Sequence, residues 1–171
     1  MPLLVLAASV GAQPAHGQHE HDDSPYAGME HSEIPSLTAQ ELADLRSGAG
    51  MGFAKAAELN HYPGPKHALE LADAISLTDE QTRAILEIQS QMREKALELG
   101  KAIIDAEANL NQRFRHGHVD EETLASATQS IALLYGELRY THLRAHLATR
   151  DVLEEGQVAD YDRLRGYGEE E

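Results

Sequence analysis

Two long stretches of the chain carry an apolar stripe at helical spacing. From Asp79 to about Arg115, Ile85, Ile88, Met92, Ala96, Leu99, Ile103, Ala106, Leu110 and Phe114 recur at steps of three and four, with no proline and only Gly100 as an interruption. One buried face on a helix about 55 Å long, at 1.5 Å per residue, is the expectation. Leu124, Ala127, Ile131, Leu134, Leu138, Thr141, Ala145, Ala148 and Val152 then alternate strictly between the same two steps. Between the stripes, His116-Gly117-His118-Val119-Asp120 reads as a turn, and so short a connection sets the two helices antiparallel, seam to seam. The second seam is bulky from Leu124 to Leu138 and thin at Thr141, Ala145 and Ala148, where small side chains admit another helix. Leu86, Leu97, Ile104, Leu133, Leu143 and Leu147 widen the stripe beyond a strict seam, and dimerisation is a natural way to bury them.

Shorter elements flank this pair. Thr38 can cap a helix whose third residue, Glu41, reaches back to the cap amide, and Gly48, Gly50 and Gly52 end it. Their Gly-Ala-Gly-Met-Gly run is read as a helix break, since no strand precedes it and its first spacings do not fit a dinucleotide-binding loop. Phe53 to Asn60 predicts a second short helix, His61-Tyr62-Pro63-Gly64-Pro65 a rigid turn, and Lys66 to Ile75 a third helix. Thr78 and Gln81 repeat the capping pattern ahead of the first long stripe, and Gly156 to Arg165 forms the last helix. The fold class expected is all-α: a long antiparallel helical hairpin closed by short hooked helices.

The N-terminus changes the picture of location. Met1-Pro2 precedes an apolar run from Leu3 to Val10, and Val10 and Ala12 fit the small-residue pattern before a signal-peptidase cut that would leave Gln13 first. Residues 1–12 therefore read as a signal peptide, although no Lys or Arg leads it, and the run is too short to span a bilayer in the mature chain. Residues 13–35 read as a disordered, His-rich leader, 36–167 as the helical domain and 168–171 as an acidic tail. A net charge of −15 leaves no basic stripe for nucleic acid, so partners should be cationic, metallic or apolar. Without cysteine there are no disulfides, thiolate metal sites or cysteine nucleophile.

Leu77-Thr78-Asp79-Glu80-Gln81, with Leu153, Glu154 and Gln157 as a second copy that carries Glu in the Thr position, resembles the repeated Leu-Thr-x-x-Gln motif of the Spy/CpxP group of periplasmic helical proteins. That group includes ZraP-like and heavy-metal-resistance members. Leu37-Thr38-Ala39-Gln40-Glu41 is a near-copy, and the resemblance covers about residues 36–167, including the closing Tyr161-Asp162-Arg163-Leu164 stretch. It implies a periplasmic hooked hairpin, often a homodimeric cradle, with a part in envelope stress: holding unfolded clients without ATP, or binding or sensing transition metals. The chaperone members present basic cradles, whereas this chain is acidic.

Ten histidines without a cysteine point to metal chemistry. His16, His19, His21 and His31 lie in the leader beside Glu20, Asp22, Asp23 and Glu30, a mixture of imidazole and carboxylate that suits zinc, copper or nickel, or else a solvated tail that binds metal only adventitiously. His142 and His146, four apart, leave one helix face a turn apart and can chelate one ion, or else bond as half-buried groups to a neighbouring helix. The zincin glutamate is absent, because Leu143 follows His142. His61 and His67 bracket the proline turn in a structural role, with Glu58 three residues before His61, and His116 and His118 mark an exposed tip. With no nucleophile elbow, phosphate loop or arguable carboxylate pair, no enzyme is expected. The expected function is non-catalytic metal binding in the envelope, with an ATP-independent holdase for unfolded envelope proteins as the alternative.

Overall fold

The computed structural model describes residues 24–32 and 34–167. Contacts divide the chain after His31. The described residues of the first unit form tight turns, in which the backbone amides of Ala27 and Met29 donate to the carbonyls of Ser24 and Tyr26. From Ser32 onward every regular element among the described residues is a helix: α1 (Ala39–Ser47), α2 (Lys55–Glu58), α3 (Pro65–Glu70), α4 (Asp79–Arg115), α5 (Glu121–Val152) and α6 (Glu155–Arg165). None is long and apolar enough to cross a membrane.

The caps explain where the helices begin. Thr38 accepts from the Glu41 amide at 3.1 Å while Glu41 accepts from the Thr38 amide at 2.8 Å, and Thr78 and Gln81 repeat the exchange at the head of α4. Asp120 takes the same role at α5, where its carboxylate accepts from the Thr123 amide. Gly48 ends α1 in the left-handed region, at φ 68°. The second and third helices are shorter than the apolar pattern predicts, because Met51, His61 and Ser76 take positive φ and break the chain into turns.

The two long helices pack on each other along their length. Thr123, Ala127 and Ser130 of α5 share a surface recess with Ala106, Asn109 and Arg113 of α4, and at the far end Gln81 meets Val152. The apolar stripe divides into two clusters. One gathers Leu45, Ala96, Leu99, Ile103 and Leu138 with Ile34 and Leu37, so the helical body takes in Ile34, two residues before the boundary expected from composition. The other gathers Ala68, Ile75, Ile85, Leu153, Val158 and Tyr161. Phe114, placed on the seam by its spacing, is 54% exposed, because it lies at the last turn of α4 where the chain leaves for the tip.

Helix α1 lies against α4 at Gly100. A Cβ there would run into the Leu45 carbonyl oxygen, so the lone glycine of that helix is the point of backbone contact. Gly136, in α5, faces open space. Gly100→Ala is therefore expected to cost about 1–3 kcal/mol through forced separation of the helices. Gly136→Ala should add up to about 1 kcal/mol through helix propensity. Urea midpoints measure both, and an unshifted midpoint for Gly100→Ala would mean that α1 does not press on α4.

Candidate functional site

Between the two apolar clusters the buried face of α5 turns polar and small, with His142, Ala145, His146 and Thr149, while α4 carries Ile88 and Met92 on its stripe and Gln89, Ser90 and Arg93 beside it. Gly48 to Gly52, together with Glu58, Gly64, Pro65, Lys66 and His67, fill part of the space, and a cavity of about 810 Å³ remains. His142 and His146 both line it.

The two imidazoles are held differently. His146 Nδ1 lies 2.7 Å from the Tyr62 carbonyl oxygen, which can only accept, so Nδ1 carries the proton and the lone pair of the neutral ring sits on Nε2. The Gly64 backbone closes over that edge: a Cβ would come within 2.9 Å of His146 Cε1 and 3.0 Å of Nε2. His142 is 3% exposed and stacks on Phe53 with ring centroids 6.3 Å apart, and its Nε2 has no hydrogen-bond partner among the described residues. Burial, and secondarily the neighbouring His146, push the His142 pKa below the ordinary histidine value. Both histidines are thus more deeply buried than their sequence positions suggest.

Behind His146 stands a polar cluster around Glu58. Its Oε1 accepts from the hydroxyls of Tyr161 at 2.6 Å and Tyr167 at 3.1 Å, with Arg165 Nε 3.5 Å away, and its Oε2 is 3.6 Å from His146 Nδ1. Burial, then the bond to Glu58, raises the Tyr161 phenol well above its ordinary range and keeps it a donor. Asp162 Oδ2 pairs with His61 Nδ1 at 2.7 Å, so His61 ties the proline turn to α6. His67 pairs with Glu70 one turn on, and His116 and His118 are exposed at the tip.

Of the remaining candidate ligands, His31 is exposed in the first unit, and His16, His19 and His21 lie outside the described residues. Among the described residues no three His, Cys, Asp or Glu side chains gather closely enough to hold a metal ion. His142 and His146 line the cavity, while the other residues of that kind in its lining, Glu58 and His67, are engaged with Tyr161, Tyr167 and Glu70. Sequence reasoning missed Glu58 as the hub of the partly buried cluster, and missed Met51 and Met92 as lining of the cavity and Phe53 as the ring stacked on His142. A lone glutamate in the Lys-Ala-Ala-Glu helix, and the tyrosines in the middle of the last helix and just past its end, were the signals available. No family model, curated protein or solved structure matches the chain.

Because burial depresses the His142 pKa, unfolding is linked to proton uptake. The unfolded ring binds a proton near pH 6.5, whereas the folded ring binds one only at lower pH. Its contribution to stability is therefore complete above about pH 6.5 and is lost as pH falls through the folded value. Urea denaturation from pH 7.5 to 5.5 should show falling stability in the wild-type chain and a smaller slope in His142→Phe. Equal slopes would remove His142 as the titrating group.

Proposed function

We propose that this chain is a non-catalytic metal-binding protein of the cell envelope, akin to the metal-linked members of the Spy/CpxP group. In this reading the long helices form an antiparallel hairpin closed by the short helices, and two copies make a cradle. Transition metal ions, zinc, copper or nickel, are taken up by the leader histidines His16, His19, His21 and His31 and by the pair His142 and His146. The observation that carries it is His142, whose buried Nε2 has no hydrogen-bond partner among the described residues and which lines a cavity together with His146, one helical turn on. A ring that burial keeps neutral has a lone pair to offer a metal from its unprotonated nitrogen. The proline turn supports the reading, since its Tyr62 carbonyl fixes the His146 tautomer as metal-bound histidines require.

The test is thermal denaturation with added Zn(II), Ni(II), Cu(II) or, under anaerobic conditions, Cu(I), on wild type, on His16→Gln/His19→Gln/His21→Gln/His31→Gln, and on His142→Gln/His146→Gln. An ion at a hundredfold excess over its dissociation constant stabilises by about 2.7 kcal/mol. At least one metal should raise Tm in wild type and in the leader variant, with the rise reduced in the pair variant. No rise in any chain with any metal would defeat the reading.

A second reading, an ATP-independent holdase for unfolded envelope proteins, draws on a different observation. Leu133, Tyr140 and Leu147 recur every seventh residue along α5 and are 64%, 57% and 53% exposed, with Leu86 on α4 at 49%. Such a stripe suits either an unfolded apolar segment or a second copy of the chain. An equimolar amount of protein should slow aggregation of a reduced, unfolding client, and Leu133→Ser/Leu147→Ser should abolish the effect. An undiminished effect in that variant would place client binding elsewhere.

A further inference from the structure

We propose that the cavity between the two apolar clusters is a copper(I) site in which the thioether sulfurs of Met51 and Met92 join the imidazoles of His142 and His146. This rests on the metal-binding reading above and assigns the ion, its oxidation state and two further ligands.

The donor set is the first argument. Met51 and Met92 both line the cavity that His142 and His146 line, one from the glycine-rich loop after α1 and the other from the middle of α4. Thioether and neutral imidazole together are a soft, uncharged set that selects cuprous ion over zinc, nickel and harder divalent cations. Cuprous ion has a filled d shell and is satisfied by two to four such donors.

Charge is the second. A divalent ion held by protein alone is ordinarily met by carboxylate or thiolate. The cavity wall offers one carboxylate, Glu58, whose Oε1 is already held by two tyrosine hydroxyls with Arg165 beside it. Lys66 and Arg93 stand in the same wall. So little spare negative charge beside two cations disfavours a dication and tolerates a monovalent one.

The loop supplies the third. Met51 takes φ 47°, a left-handed conformation that costs a non-glycine residue energy, between two glycines that could adopt it freely. Glycine would be the better residue for the turn alone. A long thioether is placed there, packed against the Leu45 and Leu138 cluster and lining the same cavity as His142.

The experiment is anaerobic titration of the full chain with Cu(I), against a chromophoric Cu(I) chelator, in the background His16→Gln/His19→Gln/His21→Gln/His31→Gln so that the leader does not contribute. X-ray absorption of the loaded protein reports the ligand atoms. One Cu(I) per chain is expected, with sulfur in the coordination sphere. Met51→Leu/Met92→Leu, which conserves volume and should keep the fold, is expected to weaken Cu(I) at least about tenfold while leaving Zn(II) and Ni(II) binding unchanged. Unaltered Cu(I) affinity in that variant, or a spectrum without sulfur, overturns the proposal, and retained metal binding lost in His142→Gln/His146→Gln would then leave the metal-binding reading standing. If the His142→Gln/His146→Gln chain binds every ion as its parent does, both the site and the reading of the cavity fall.

Discussion

The long helices meet through two apolar clusters that do not join, and the site follows from the gap between them. Ile85 and Leu153 anchor one end while Leu99, Ile103 and Leu138 anchor the other, and between them α5 presents His142, Ala145, His146 and Thr149, too small or too polar to close the seam. Packing to interior density then requires a third party. The loop after α1 and the proline turn provide it, the first packing Met51 against the Leu45 and Leu138 cluster and stacking Phe53 on His142, the second bringing Gly64 down on His146. They fill the gap incompletely, and what remains is a cavity whose wall holds two histidines.

Two polar devices hold the short helices in place around that gap. At the end of the helix pair Gln81 and Gln157 exchange amide hydrogen bonds at 2.7 and 3.0 Å, while Gln81 also donates to the Val152 carbonyl and Gln157 to those of Ile75 and Ser76. Each glutamine also caps its own helix by accepting from the residue three before it. A side chain that caps one helix and bridges to another couples the start of α4 to the start of α6. The Glu58 cluster does the same between the loop region and α6, with two buried tyrosine hydroxyls converging on one carboxylate oxygen. Charge-assisted bonds of this kind, partly shielded from water, are worth more than their exposed counterparts.

How legible this was depended on the range of the forces involved. The long helices were readable almost to the residue, because a stripe of threes and fours and a capping threonine are local signals that tertiary contacts reinforce. The paired motif glutamines were visible as caps but not as partners, since 76 positions separate them and no spacing rule encodes the pairing. His142 and His146 were recognisable as a helical pair, yet their depth depended on Gly64 and Phe53, residues that local pattern assigns to turns. Met51 reads as filler in a glycine run and Met92 as one more seam residue. Only the packing of α1 against α4 through Gly100 sets the loop that carries Met51 across the same space. The chemistry of the leader histidines His16, His19 and His21 stands on sequence alone.

An unpaired buried nitrogen is the feature of this fold hardest to explain by stability. Leaving such a group without a partner costs about 1–3 kcal/mol. Phenylalanine or leucine at position 142 would stack on Phe53 at no such cost, and the seam on either side shows that this helix pair is built to accept aliphatic residues. The neighbouring His146, by contrast, has its proton fixed by a backbone carbonyl, so it needs no further partner to be at rest. Two identical side chains one turn apart are thus treated unequally by the protein around them, one oriented and satisfied, the other buried with no partner at Nε2 among the described residues. In the metal-binding reading proposed above, that asymmetry has a use: one donor is already oriented to receive a ligand, and the cost of burying the other is recovered when the ligand arrives.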